Sequence, residues 1–128
     1  MKTFLSAAVL VSLIFSSCKK SSSEPAAPVK AVPTVTTSPA TNITSTSATI
    51  GGVVVNENGS YVASRGVGIS LIPNDIFAQT YQTLSGFGPG AYSSSITFLT
   101  SGKTYYMRAY ATNGIGYGFG DEISFKTP

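Results

Sequence analysis

Apolar and polar positions change texture three times along this chain, and each texture predicts a different kind of segment. Behind Lys2, Phe4 to Phe15 is a run of twelve apolar or small residues. It is too short to span a bilayer and suits a secretory signal. Lys19 to Pro33 follows, with Ser21-Ser22-Ser23, Pro25, Pro28 and Pro33 and almost nothing that enters a core. Such a composition cannot offset its ordering entropy, and its prolines favour extended polyproline II, so it reads as a flexible tether reaching up to about 45 Å. From Thr34 onward, short runs rich in threonine, valine and tyrosine are broken by glycine and asparagine. No window there repeats every 3.6 residues as a helix would.

Strands are the alternative, and their two-residue period is visible. Ala48, Ile50, Gly52 and Val54 share one face, with Thr49, Gly51, Val53 and Val55 opposite. Asn56-Glu57-Asn58-Gly59 then predicts a turn, since Asn-Gly readily takes positive φ. Arg65 to Ser70 predicts the next strand. Asn74 to Gly90 is the least regular stretch and is expected to end in a mobile loop, Gly86-Phe87-Gly88-Pro89-Gly90. Tyr92, Ser94 and Ile96 alternate in a further strand, Tyr105 to Thr112 forms the strongest, and Glu122 to Lys126 closes the domain. In the strongest strand Tyr105, Met107, Ala109 and Ala111 are expected to point inward, and Tyr106, Arg108, Tyr110 and Thr112 outward. Strands at this spacing with turn signals between them predict an all-β chain, a single antiparallel β-sandwich. The expected divisions are a signal over 1–17, the cysteine and tether over 18–33, and the domain over 34–128.

Charge and cysteine narrow the picture further. Cys18 is the only cysteine, so no intramolecular disulfide is available and burial alone must hold the domain. The formal charge of +3 is unevenly placed. Lys19, Lys20 and Lys30 against Glu24 leave the tether positive, beside anionic headgroups or simply in solvent. From Thr34 on, Arg65, Lys103, Arg108 and Lys126 balance Glu57, Asp75, Asp121 and Glu122. A neutral domain lacks the electrostatic footprint of a nucleic-acid binder, and no nucleic-acid partner is expected.

Two stretches resemble known families. Leu13-Ile14-Phe15-Ser16-Ser17-Cys18 resembles a bacterial lipobox, with Phe15 standing where that pattern usually has leucine. The resemblance implies that Cys18 is acylated and becomes the mature N-terminus of a lipoprotein of a bacterial cell envelope, at the outer membrane. An ordinary secretory signal with an incidental thiol is the alternative. Further along, Leu99 to Asn113 looks like the E–F turn and F strand of a fibronectin type III domain, of the variety found in bacterial surface lipoproteins. Ser47-Ala48-Thr49-Ile50-Gly51-Gly52 resembles its B strand and Arg65-Gly66-Val67 its C strand. Asn113 to Gly116, followed by Phe119-Gly120 and Ile123-Ser124-Phe125, resembles its F–G loop and G strand. The likeness covers Val35 to Thr127 and implies an Ig-like, fibronectin type III-like sandwich. It also implies that Tyr105, six residues after Leu99, forms that family's tyrosine corner, its ring buried and its hydroxyl bonded back to the turn. Gly52 stands where many such domains carry tryptophan, and Phe98 where this variety usually has glycine.

Chemistry is sparse on this chain. It has no histidine, so the commonest general base and metal ligand is missing. Adjacent Asp121 and Glu122 in a strand should point to opposite faces, a poor acid–base pair. Glu57 between Asn56 and Asn58 reads as a turn more readily than as a calcium loop. No catalytic residue, metal or cofactor is expected. The aromatic residues are the candidate ligand-binding groups. Tyr106, Arg108 and Tyr110 form an outward stripe, whether as a stacking surface or as ordinary cross-strand packing. Phe77, Tyr81 and Phe87 lie in the irregular stretch and Tyr117 and Phe119 in the F–G loop, where recognition residues gather, though all of them, Phe119 in particular, are able to fold back as a small satellite core. Phe87, Tyr117 and Phe98 are the candidates for recognition. The expected protein is a lipid-anchored, non-catalytic binding or spacer module with a protein or carbohydrate partner. The alternatives are a carbohydrate-binding accessory lipoprotein of a glycan-uptake system and a structural subunit of an envelope assembly.

Overall fold

The structure, a computed structural model, describes residues 29–75 and 81–128. Cys18, most of the tether and Phe77 lie outside the described residues. Eight strands form in the described part: β1 (Thr34–Thr41), β2 (Ala48–Asn56), β3 (Ser64–Ser70), β4 (Tyr81–Gln82), β5 (Gly90–Ile96), β6 (Thr104–Thr112), β7 (Tyr117–Phe119) and β8 (Ile123–Lys126). Every pairing is antiparallel. One sheet runs β1-β2-β5. The other runs β4-β3-β6, with β7 and β8 placed end to end along the far edge of β6.

The two-residue periods explain why the sheets face each other. Ala48, Ile50 and Val54 of β2 are buried against Val67, Ile69, Met107, Ala109 and Ala111 of the second sheet. The Asn56–Gly59 turn forms because Asn58 and Gly59 take φ of 52° and 77°, and the Asn56 side chain accepts the Asn58 amide at 2.8 Å. Tyr105 is buried, its ring stacked on Phe125 with centroids 5.7 Å apart. Its Oη accepts a hydrogen bond from the Thr100 amide at 2.8 Å. Leu99 is buried beside it and donates its amide to the Thr46 carbonyl at 2.9 Å.

Gly52 leaves a space that β5 uses. A Cβ there would overlap Ala109 and approach the Tyr92 hydroxyl. Tyr92, directly opposite Gly52 in the ladder, crosses the core instead and donates toward the carbonyls of Gly66 at 2.8 Å and Tyr110 at 3.0 Å. A tyrosine from β5 thus ties the two sheets together. On the other flank β1 lies close along the second sheet. Thr37 stands in the break between β7 and β8, its hydroxyl accepting the Ala109 amide at 3.1 Å and donating to the Asp121 carbonyl at 2.6 Å. That side chain satisfies an amide which the interrupted edge would otherwise leave bare.

Three expectations need correcting. Ala31 to Pro33 is not free tether: Pro33 is buried, and Ala31 donates to the Asn58 carbonyl at 3.1 Å. The Gly86–Gly90 loop is not loose either. Arg65 Nη1 donates to the carbonyls of Gly88 and Pro89 at 2.9 and 2.8 Å, and its Nε to Ser85 at 3.1 Å. The guanidinium also lies over the Tyr92 ring, 5.1 Å from its centre, so a buried ring orients the clamp. Finally, Tyr117 and Phe119 are not loop residues but form a short strand of their own, β7.

Candidate functional site

The end of the sandwich where the chain enters is built around one side chain. Asn113 is buried, and its Nδ2 donates to the carbonyls of Ala31 at 2.8 Å, Glu57 at 3.1 Å and Ser60 at 3.3 Å. Its Oδ1 accepts the amides of Ile115 at 2.9 Å and Gly116 at 3.2 Å. One residue thereby joins the entering segment, the β2–β3 loop and the β6–β7 loop. The β4–β5 loop joins the same end through Arg65 and through the Gly88 amide on the Val62 carbonyl at 2.9 Å. Glu57 completes the β2–β3 loop by accepting the Val62 amide at 2.7 Å. Its carboxylate therefore already serves the loop.

Phe87 projects from this end, 65% exposed, with φ of 89° and 77° at the glycines on either side. Its ring meets that of Tyr61, 6.1 Å away. Phe98 lies elsewhere. It follows β5, whereas Phe87 precedes it, so the two are separated by roughly the length of seven strand residues, about 20 Å. Phe98 packs with Tyr81 at 4.3 Å. Tyr106 and Arg108 are half-buried on the outer face of the second sheet, opposite Ser70 and Gly68.

Tyr110 corrects the expected stripe. It points to that same outer face, as its register requires, but only 2% of it is exposed. Gly66, its ladder partner, leaves room for the phenol to fold over β3. Thr83 covers it, accepting the Tyr110 hydroxyl on its carbonyl at 2.6 Å. Thr83 is itself pinned to Val67 by a pair of 2.9 Å bonds. Tyr117 closes the other side, its ring 6.3 Å from that of Tyr110 and 6.0 Å from Phe119, nearly parallel to the latter at 13°. Tyr110 therefore backs the Tyr117–Phe119 pair and is closed to a ligand. Burial holds the Tyr92 and Tyr110 phenols above the ordinary tyrosine range, and for Tyr92 the neighbouring Tyr110 adds to the effect. Both stay protonated as hydrogen-bond donors rather than proton-transfer groups.

The candidate residues therefore fall in separate places: Phe87 with Tyr61 at the entry end, Tyr117 with Phe119 and Tyr110 at the edge of the second sheet, Tyr106 with Arg108 mid-sheet, and Phe98 with Tyr81 at the far end of β5. Tyr61 and the organising role of Asn113 were missed. An aromatic in a polar loop just after an Asn-Gly turn was the available signal for Tyr61. Asn113 read only as a turn residue.

No family model matches the chain, and no curated protein matches it. Solved structures do. The sensor domain of the anti-sigma factor RsgI4 of Pseudobacteroides cellulosolvens is 21% identical, with a TM-score of 0.56 over 80% of this chain and 97% of that one. The sixth fibronectin type III domain of human fibronectin type III domain containing protein 3 is 25% identical, with a TM-score of 0.53 over 84% and 92%. A fibronectin type III domain from the human KIAA0970 protein is 11% identical, with a TM-score of 0.54 over 75% and 74%. The described residues thus form an all-β, fibronectin type III-like sandwich.

Proposed function

We propose that this chain is a lipid-anchored, non-catalytic module of a bacterial cell envelope, held at the outer membrane and presenting its sandwich for binding or as a spacer. The observation that carries this reading is the order Lys2, the apolar run Phe4 to Phe15, then Ser16-Ser17-Cys18 and a proline-rich segment. The way Ala31 to Pro33 is fastened at one end of the sandwich supports it, because the domain would then hang from its lipid by that end alone. Acyl chains contribute about 0.8 kcal/mol per buried CH₂, so several on one residue hold without help from the lysines. Cys18→Ala should leave unprocessed precursor and abolish palmitate labelling in growing cells. Wild-type chain that is processed before Cys18 yet takes up no palmitate overturns the anchor.

A carbohydrate-binding accessory role is the second reading, and the Tyr117–Phe119 pair favours it. Tyr117 is exposed, yet it is held by rings on two sides, stacked on Phe119 at 6.0 Å and tilted against Tyr110 at 6.3 Å, so it offers a sugar a fixed aromatic contact. On a glycan array the full chain should then retain a defined class of glycans, and Tyr117→Ala should weaken that retention about tenfold. Retention unchanged by Tyr117→Ala removes this reading.

A further inference from the structure

We infer that the end of the sandwich carrying Tyr61, Phe87 and Ile115 rests on the lipid headgroups of the bilayer that holds Cys18. The inference rests on the lipid-anchor reading above and adds an orientation to it. These three side chains are 60%, 65% and 51% exposed. Ile72, Leu71 and Phe98 at the opposite end are exposed as well, so it is the path of the chain, and not exposure, that chooses between the two ends. Their protrusion is built in. Arg65 fixes the Phe87 loop through three carbonyls, and Asn113 fixes the loops that carry Tyr61 and Ile115. Preorganised tips bury in an interface without a further ordering cost.

The chain's path says which surface they meet. Its first described residues, from Val29, leave this same end: Lys30 packs near Gly59, Val32 near Gly116, and Ala31 is held by Asn58 and Asn113. Only residues 19–28 separate Cys18 from Val29. Even fully extended, that stretch keeps this end within about 35 Å of the lipid. The opposite end, with Lys103 and Phe98, lies a sandwich length further on. Tyrosine and phenylalanine partition to the headgroup level, with the ring among acyl chains and the phenol hydroxyl in water. Lys19, Lys20 and Lys30 add attraction to anionic headgroups. An apolar tip, a short lead and basic residues therefore converge on one occupant, the anchoring bilayer.

The chain has no tryptophan, so a single introduced one reports its own depth. The mature acylated chain, beginning at Cys18 and carrying Phe87→Trp, is reconstituted into phosphatidylethanolamine–phosphatidylglycerol vesicles, with and without brominated acyl chains. Flotation and the mass of the Cys18 peptide read the anchor independently. Brominated lipid should lower Phe87→Trp emission about twofold or more, with a blue shift, while Phe98→Trp at the far end stays unchanged. Tyr61→Trp, on the partner ring, should repeat the Phe87→Trp result and guards against a local defect at one site. Floating, acylated chain whose Phe87→Trp and Tyr61→Trp are both unquenched overturns the orientation and leaves the anchor standing. Unacylated chain that does not float overturns both. Equal quenching at Phe87→Trp and Phe98→Trp means the domain lies without preferred orientation, which also overturns the inference.

Discussion

Tyr105→Ala is expected to cost about 3–5 kcal/mol of stability. The ring is buried, stacks on Phe125 and lies against the turn that begins at Leu99, so truncation leaves a cavity that neighbouring strands cannot close. Its hydroxyl contributes less. Oη accepts one amide, from Thr100, and Thr100 is exposed, so water replaces the lost acceptor in Tyr105→Phe. That variant should lose about 1 kcal/mol. Tyr106, one residue on and half-buried on the outer face, should lose roughly 1 kcal/mol or less as Tyr106→Ala. Urea denaturation of the three variants gives the order directly. Equal losses at Tyr105→Ala and Tyr106→Ala would contradict the placement of the two faces.

Those two faces were legible because an alternating strand carries its own evidence. Ala48, Ile50 and Val54, and likewise Tyr105, Met107, Ala109 and Ala111, are buried as their period requires. Where the structure departs from the sequence reading, the cause is mostly a contact distant in sequence. Tyr110 has the outward register of its neighbours, and the return of Thr83, 27 residues earlier, covers it while Tyr117 closes its other side. The Gly86–Gly90 loop has a mobile composition, and Arg65, more than twenty residues away, holds it. The strands β4 and β7 are two and three residues long, too short to show any period. Gly52 stands where many such domains carry tryptophan, and the space is filled from the partner strand by Tyr92, which no local pattern announces. The dispersal of the aromatic candidates has the same origin: strand order places Phe87 and Phe98 at opposite ends of β5, although both look like loop aromatics in the sequence.

Asn113→Ala is expected to cost about 2–4 kcal/mol, a large loss for a polar residue next to a loop. The side chain is buried, shares its two N–H groups among three carbonyls and accepts two amides. Each replaced bond contributes about 0.5–1.5 kcal/mol, and groups left buried without a partner cost more. The damage should also be local in kind. Ala31 lies 82 residues away in sequence, so without the Asn113 donor the entering segment loses one of its fastenings. Hydrogen exchange at the Ala31 amide, which donates to Asn58, should speed up more than exchange in the β3–β6 ladder. Asn113→Asp separates the two halves of the role. It keeps the acceptor for the Ile115 and Gly116 amides, but it offers no donor and turns a carboxylate toward three carbonyls. If the turn alone mattered, Asn113→Asp would restore stability. If the residue works by joining loops to the entering chain, Asn113→Asp should be no more stable than Asn113→Ala. A loss below about 0.5 kcal/mol in Asn113→Ala, the range of ordinary surface changes, would remove Asn113 as the organiser of this end.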